Sequence, residues 1–249
     1  MKIFRSINIR LLLIVISAAI LSTSCKKSKE VTPNKPIVLV NDTITKDGFT
    51  IIFINQDSTF QVKGDTLRKA YEKAFFITYP KICAYFNPDG QRVVPFIVDD
   101  AFKAQQGEEL AYASGGEIHI NPVYALAAPN DLNVLVHELT HIDQAYSAPN
   151  TPGWMTEGIA EYSRNKFGIP GRNNGWYIPD YWQGQKYTDG YTVIARFLLW
   201  AEAKYQPGIA QYMDKQLRAG TYDDDASWQA ETGITFSQLW TSYTENPYY

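Results

Sequence analysis

Two of the chain's three histidines fall in the pentapeptide His137-Glu138-Leu139-Thr140-His141, and sixteen residues on comes Glu157, in Thr156-Glu157-Gly158-Ile159-Ala160-Glu161-Tyr162. No other stretch constrains the fold as much, because the pattern makes chemical sense only on helices. Four residues apart on a helix, two imidazoles lie on one face and can grip one ion, while Glu138 projects beside them. Neutral imidazole and carboxylate suit zinc, and a catalytic site keeps three protein ligands with one position left open. Two histidines leave one ligand missing. Glu157 fills that place best, near the start of a second helical stretch that follows the breakers Pro149, Pro152 and Gly153. Glu161 is the competitor. One turn further along the same face, it can instead accept a hydrogen bond from the free ring nitrogen of a ligating histidine and fix its tautomer. The expected cofactor is therefore one Zn2+, with Glu138 as a general base and not a ligand.

Such a string can also arise on an exposed helix as a solvated polar face. The neighbouring residues argue against that. Asn133-Val134-Leu135-Val136 is an apolar approach that would bury the histidines, and Leu132, Leu135, Leu139, Ile142 and Tyr146 form a helical stripe on another face. A buried histidine needs a partner.

His-Glu-Leu-Thr-His followed by Glu-x-x-x-acid resembles the glutamate-type zincins, such as thermolysin-like peptidases. Trp154-Met155-Thr156-Glu157-Gly158-Ile159-Ala160-Glu161-Tyr162 is closer still to the plant basic secretory protein family, as is Gly190-Tyr191 followed by Ala195-Arg196-Phe197-Leu198. The similarity runs from about residue 48 to 243. It implies a zincin-like metallopeptidase domain with His137, His141 and Glu157 on zinc and Glu138 as general base, acting on a peptide or protein substrate. One departure is charge: the family is named basic, whereas this chain has a formal net charge of -3 and a pI near 5.7.

At the amino terminus Lys2, Arg5 and Arg10 precede an apolar run over residues 11–21, too short for a permanent membrane span and readable as a secretory signal. It ends in Leu21-Ser22-Thr23-Ser24-Cys25, similar to a relaxed bacterial lipoprotein box. Residues 1–24 are thus expected to be a lipoprotein signal peptide and Cys25 the lipidated first residue; the alternative is an ordinary signal peptide. Losing three basic and no acidic residues takes the net charge from -3 to -6, which argues against nucleic acid or an anionic membrane surface as a partner. The expectation is an exported monomer, attached by lipid to the bacterial envelope at the outer membrane or cell surface. Residues 25–47 read as a flexible tether and 48–249 as the peptidase domain. After Cys25 only Cys83 remains, so no internal disulfide is available and a core must carry the stability; Cys83 itself reads as a small buried hydrophobe.

Residues 49–55 read as a strand, 65–86 as a helix with Leu67, Ala70, Ala74, Phe75 and Tyr79 on one side, and 92–98 as a strand in which Pro95 suggests an edge or an end. Residues 117–121 alternate as a further strand. The fold class expected is α+β, a small mixed sheet backed by helices with a mainly helical C-terminal part, including helices at 193–205 and 209–219. Residues 111–121 are the candidate rim for pairing with extended substrate. The third histidine, His119, is expected to be an exposed strand residue and not a ligand. Asp223-Asp224-Asp225 reads as a solvated turn, lacking a calcium-loop pattern. The aromatic run Trp176, Tyr177, Tyr181, Trp182, Tyr187, Tyr191 is assigned mostly to packing, with one hydroxyl as oxyanion donor: Tyr191, and Tyr187 next. The leading function is a zinc metallopeptidase. The alternative is a noncatalytic zincin-fold lipoprotein binding peptide or glycan; Glu138, which a structural zinc site does not require, favours the enzyme.

Overall fold

Asp47 and Gly48, both at positive φ (52° and 81°), turn the chain back on itself in the geometry that a two-residue hairpin favours. They join β1 (Val40–Lys46) to β2 (Phe49–Asn55), antiparallel, with Lys46 opposite Phe49. The computed structural model describes residues 40–103, 110–147, 149 and 151–249; the expected signal peptide, Cys25 and the first part of the expected tether lie outside them. Strand β1 corrects the tether's expected end at residue 47. Its polar composition hides a strand because β1 is the last strand on its side of the sheet, so mainly Ile44 meets the core.

From β2 the chain passes through α1 (Ser58–Lys63) and α2 (Asp65–Tyr85) and returns as β3 (Val93–Val98), parallel to β2. After β4 (Ala111–Ser114) comes β5 (Glu117–Ile120), antiparallel to β4 and parallel to β3, giving the order β1-β2-β3-β5-β4. Strand β3 is therefore central, which corrects the edge position suggested by Pro95. The reason is register. Thr50 N donates to Arg92 O and Gln56 N to Val98 O, so alternate β3 residues bond to β2, and Pro95 turns its missing donor toward β5. Pairing with β5 begins only at Phe96, opposite Ile118, and Gln91 Nε2 donates instead to Gly116 O at 2.7 Å.

Then follow α3 (Pro122–Ala127), α4 (Val134–Gln144), α5 (Gly153–Phe167), α6 (Tyr191–Lys204), α7 (Ile209–Ala219), α8 (Ala226–Thr232) and α9 (Phe236–Glu245). The result is the α+β architecture expected, a five-stranded mixed sheet backed by helices with a mainly helical C-terminal part. Helix α2 lays Leu67, Tyr71, Ala74, Phe75, Tyr79, Ile82 and Cys83 into the core, so Cys83 is buried as expected. Helix α4 carries the motif and is buried along nearly its whole length, between α2, α5 and the β4–β5 side of the sheet. Helix α5 meets α6 at a close crossing: a Cβ on Gly158 would come within 2.1 Å of Ile194 Cγ2, so glycine beside Glu157 is what permits the approach. The C-terminal helices close on an aromatic cluster that includes Phe197, Trp200, Trp228, Phe236 and Tyr243. Segment 223–225 is exposed, and Asp223 Oδ1 accepts from Asp225 N and Ala226 N at the start of α8, consistent with a solvated turn.

Candidate metal centre

Helix α4 brings His137, Glu138 and His141 to one wall of a cavity of about 570 Å³, and α5 brings Glu157 and Glu161 to the facing wall. Thr140 Oγ1, 2.7 Å from Ser163 Oγ, ties the two helices together behind the site. Nε2 of His137 and Nε2 of His141 are 3.0 Å apart, and Glu157 Oε2 lies 3.2 Å from the first and 3.5 Å from the second. Ligand atoms on a tetrahedral zinc at about 2.1 Å stand about 3.4 Å from one another. The three atoms thus have the spacing that one such ion requires. Among the described residues, His137, His141 and Glu157 are the cluster able to hold a metal; Glu161, the competitor for third ligand, lies behind His137.

The nitrogens that face away from this point are also engaged. His137 Nδ1 is 3.0 Å from Glu161 Oε1, outside strict hydrogen-bond alignment, and Glu161 is in turn 3.6 Å from the Arg164 guanidinium. Arg164 donates twice through Nη2 to the buried carboxylate of Asp131, at 2.9 and 2.8 Å, and lies over the Trp176 ring. Behind His141 the partner is neutral: Nδ1 is 2.8 Å from Gln144 Oε1. Acceptors on both Nδ1 atoms favour tautomers that leave the Nε2 lone pairs converging.

Charge follows the same geometry. Burial opposes a charge on His137, but Glu157 and Glu161 push its pKa up to about 10. Burial alone would raise Glu157; its hydrogen bonds to His137 and His141 bring it down to about 2 instead. Without a metal, a proton on His137 and the charge on Glu157 balance each other where the donors meet, and a cation placed there would take over the proton's part. Glu138, almost fully buried, is raised, by burial first and against the pull of both imidazoles. A carboxyl so raised is poised to exchange a proton.

Tyr191, the first candidate for an oxyanion donor, lines the cavity, with its ring nearly parallel to that of His137 at 6.3 Å between centroids. Its backbone is at φ 42°, a costly conformation for a bulky residue that the turn into α6 imposes. The second candidate, Tyr187, packs edge-on against Trp154 and Phe236, away from the cavity lining. Tyr181 packs on Tyr243 and Trp176 on Arg164, whereas Tyr177 and Trp182 are 71% and 60% exposed, so packing accounts for only part of the aromatic run. His119 departs from the expected exposure. It is half-buried on the sheet face opposite Ile118 and Ile120, stacked on Tyr112, with Nδ1 2.8 Å from Asp99 Oδ2, and it stands apart from the metal cluster. Gln144 and Arg164 line the cavity without having been singled out by sequence, and Tyr146, expected on an apolar stripe, lines it too. For Gln144 a signal existed, since it lies one turn beyond His141 on the same helix.

The sequence model of the family described as "Peptidase of plants and bacteria", BSP, matches residues 88–243, more than half of the 249 residues. The chain belongs to the basic secretory protein family. The matched span starts after α2 and not near residue 48, so it takes in β3, the motif helices and most of the C-terminal helices and omits the β1–β2 hairpin. A peptidase family is thus the setting of the His-His-Glu cluster. No curated protein matches the chain significantly.

Proposed function

We propose that the protein is a zinc-dependent metallopeptidase, with His137, His141 and Glu157 holding one Zn2+ and Glu138 as general base. The observation that carries this reading is the meeting of three ligand atoms at zinc-like spacing in the cavity that Glu138 lines. Zinc would supply Lewis acidity there, favouring attack of water on a peptide carbonyl. Glu138 takes the proton of the attacking water on its carboxylate and delivers it to the leaving amine. The Tyr191 hydroxyl is the proposed donor to the oxyanion that forms. Glu161 keeps the His137 ring in register. Leu110 and β4 residues Ala111, Tyr112 and Ala113 line the same cavity, and β4 is the last strand of the described sheet on that side, so an extended peptide substrate can lie along it as an added strand.

The proposal includes place. The signal-like run, the box ending in Cys25 and the acidic net charge support an exported monomer, anchored through lipid at Cys25 to the bacterial envelope, with no nucleic-acid partner. The deciding experiment compares the purified mature protein with Glu138→Gln for bound zinc and for cleavage of a mixed peptide library. Zinc in both, with cleavage slowed about 10²–10⁴-fold in the variant, is the expected result. A native protein without zinc ends the reading, and zinc without cleavage by either form replaces it with the binding-module alternative. Failure of labelled fatty acid to enter at Cys25 removes the anchor.

A further inference from the structure

The two histidines of the cluster are backed differently, and the neutral partner does two things at once. Gln144 is the last residue of α4 and is 2% exposed. Its Oε1 lies 2.8 Å from His141 Nδ1, while its Nε2 donates to Thr156 O at 3.0 Å. Thr156 is in the first turns of α5, directly before Glu157, and is itself fixed by its N and Oγ1 donating to Pro152 O. One amide therefore touches the histidine ligand on α4 and the backbone that carries the carboxylate ligand on α5.

We infer that Gln144 is a positioning residue that holds His141 and Glu157 as a single unit. The chemistry needs this side chain type. His141 must donate from Nδ1 if its Nε2 lone pair is to face His137 and Glu157, so the partner must offer an acceptor. The Thr156 carbonyl can only accept, so the same partner must also offer a donor. A primary amide offers both. A carboxylate would satisfy the histidine and turn lone pairs on the carbonyl; a thioether or alkyl chain satisfies neither. The backbone supports the arrangement at the next residue, where Ala145 adopts φ 44° and stops α4 with Gln144 aimed across to α5. Glu161 also spans α4 and α5, but it meets the ring of His137; the contact that joins His141 to the backbone beside Glu157 is made by Gln144.

The inference rests on the zinc reading for its consequence but not for its geometry, and the test separates them. In the metal-free mature protein, long-range 1H–15N spectra should show His141 as the Nδ1–H tautomer, with Gln144→Met shifting it toward the Nε2–H form and Gln144→Glu restoring Nδ1–H. Chelator competition should then show zinc held about 10–100-fold more weakly by Gln144→Met than by the native protein. An unchanged His141 tautomer in Gln144→Met, or a zinc affinity within about threefold of native, overturns the role. If Gln144→Met does not fold, Gln144→Glu decides: its charged acceptor should move the His141 Nδ1 proton downfield, and an unmoved signal overturns the contact. A native protein that takes up no zinc defeats the proposed function, while the metal-free spectra still judge Gln144.

Discussion

Carboxylates flank helix α4 on two sides, one half-buried at the cavity and one fully buried behind it, and they behave in opposite ways. On the cavity side Glu157 faces two imidazoles and is brought down to about 2 despite burial. On the far side burial pushes Asp143 up to about 7, its contact with the Cys83 thiol and the charges of Arg218 and Arg92 offsetting only part of that. Asp214 on α7 is likewise raised to about 6 by burial, against Arg218 and Tyr146. The Arg218 guanidinium pairs with Asp214 and donates to Phe86 O, Asp143 O and Gln144 O, the terminal carbonyls of α2 and α4. Burial alone thus favours the neutral acid, and only groups arranged to share a positive charge reverse it. That reversal distinguishes a candidate cation site from a buried structural cluster a few residues away.

Glu157→Gln tests the cavity side most directly. Removing the charged ligand should abolish bound zinc in metal analysis after desalting while the fold, read by circular dichroism, persists; retained zinc would mean the low-pKa carboxylate is not a ligand. Next in size is Arg218→Met, which leaves Asp214 buried without its cation and removes a donor from three carbonyls, of which Asp143 O keeps Asn87 Nδ2. It should cost about 3 kcal/mol in urea unfolding. A loss under about 1 kcal/mol would show that the far side is already neutral.

Asp143→Asn should do the reverse. The folded pKa of Asp143 lies above its ordinary value of 3.8, so the folded state binds the extra proton between about pH 4 and 7 and stability falls as pH rises through that window. The variant should therefore gain about 1–2 kcal/mol at pH 8, with the gain fading toward pH 4, in denaturant melts across pH. The smallest effect concerns His137. With its pKa pushed up to about 10 in the metal-free cluster, the proposed zinc should expel about one proton when it binds at pH 7.5. Calorimetry in buffers of different ionisation heat reads this directly.

Much of the site was legible because its constraints are local. The four-residue spacing of His137 and His141, and that of Glu157 and Glu161, place these groups on helix faces whatever the rest of the chain does. Residues 209–219 were likewise readable, coinciding with α7 between Gly208 and Gly220. What was missed depends on partners distant in sequence. Strand β1 is polar enough to pass for linker, although Asp47-Gly48 carried the hairpin signal. Pro95 sits in a central strand because β5 begins pairing one residue later, which no local pattern encodes. Gln144 and Arg164 lack any motif; their roles come from Thr156 and Asp131 across the fold.

Arg218 has a consequence for the order of folding. It lies 74 residues beyond Gln144 and 132 beyond Phe86, the carbonyls it reaches. Phe86 O and Gln144 O therefore lack this donor until α7 docks, whereas Asp143 O also has Asn87 Nδ2. The His137–His141 turn lies next to one of those ends, so the geometry of the candidate metal centre leans on a contact 74 residues away in sequence.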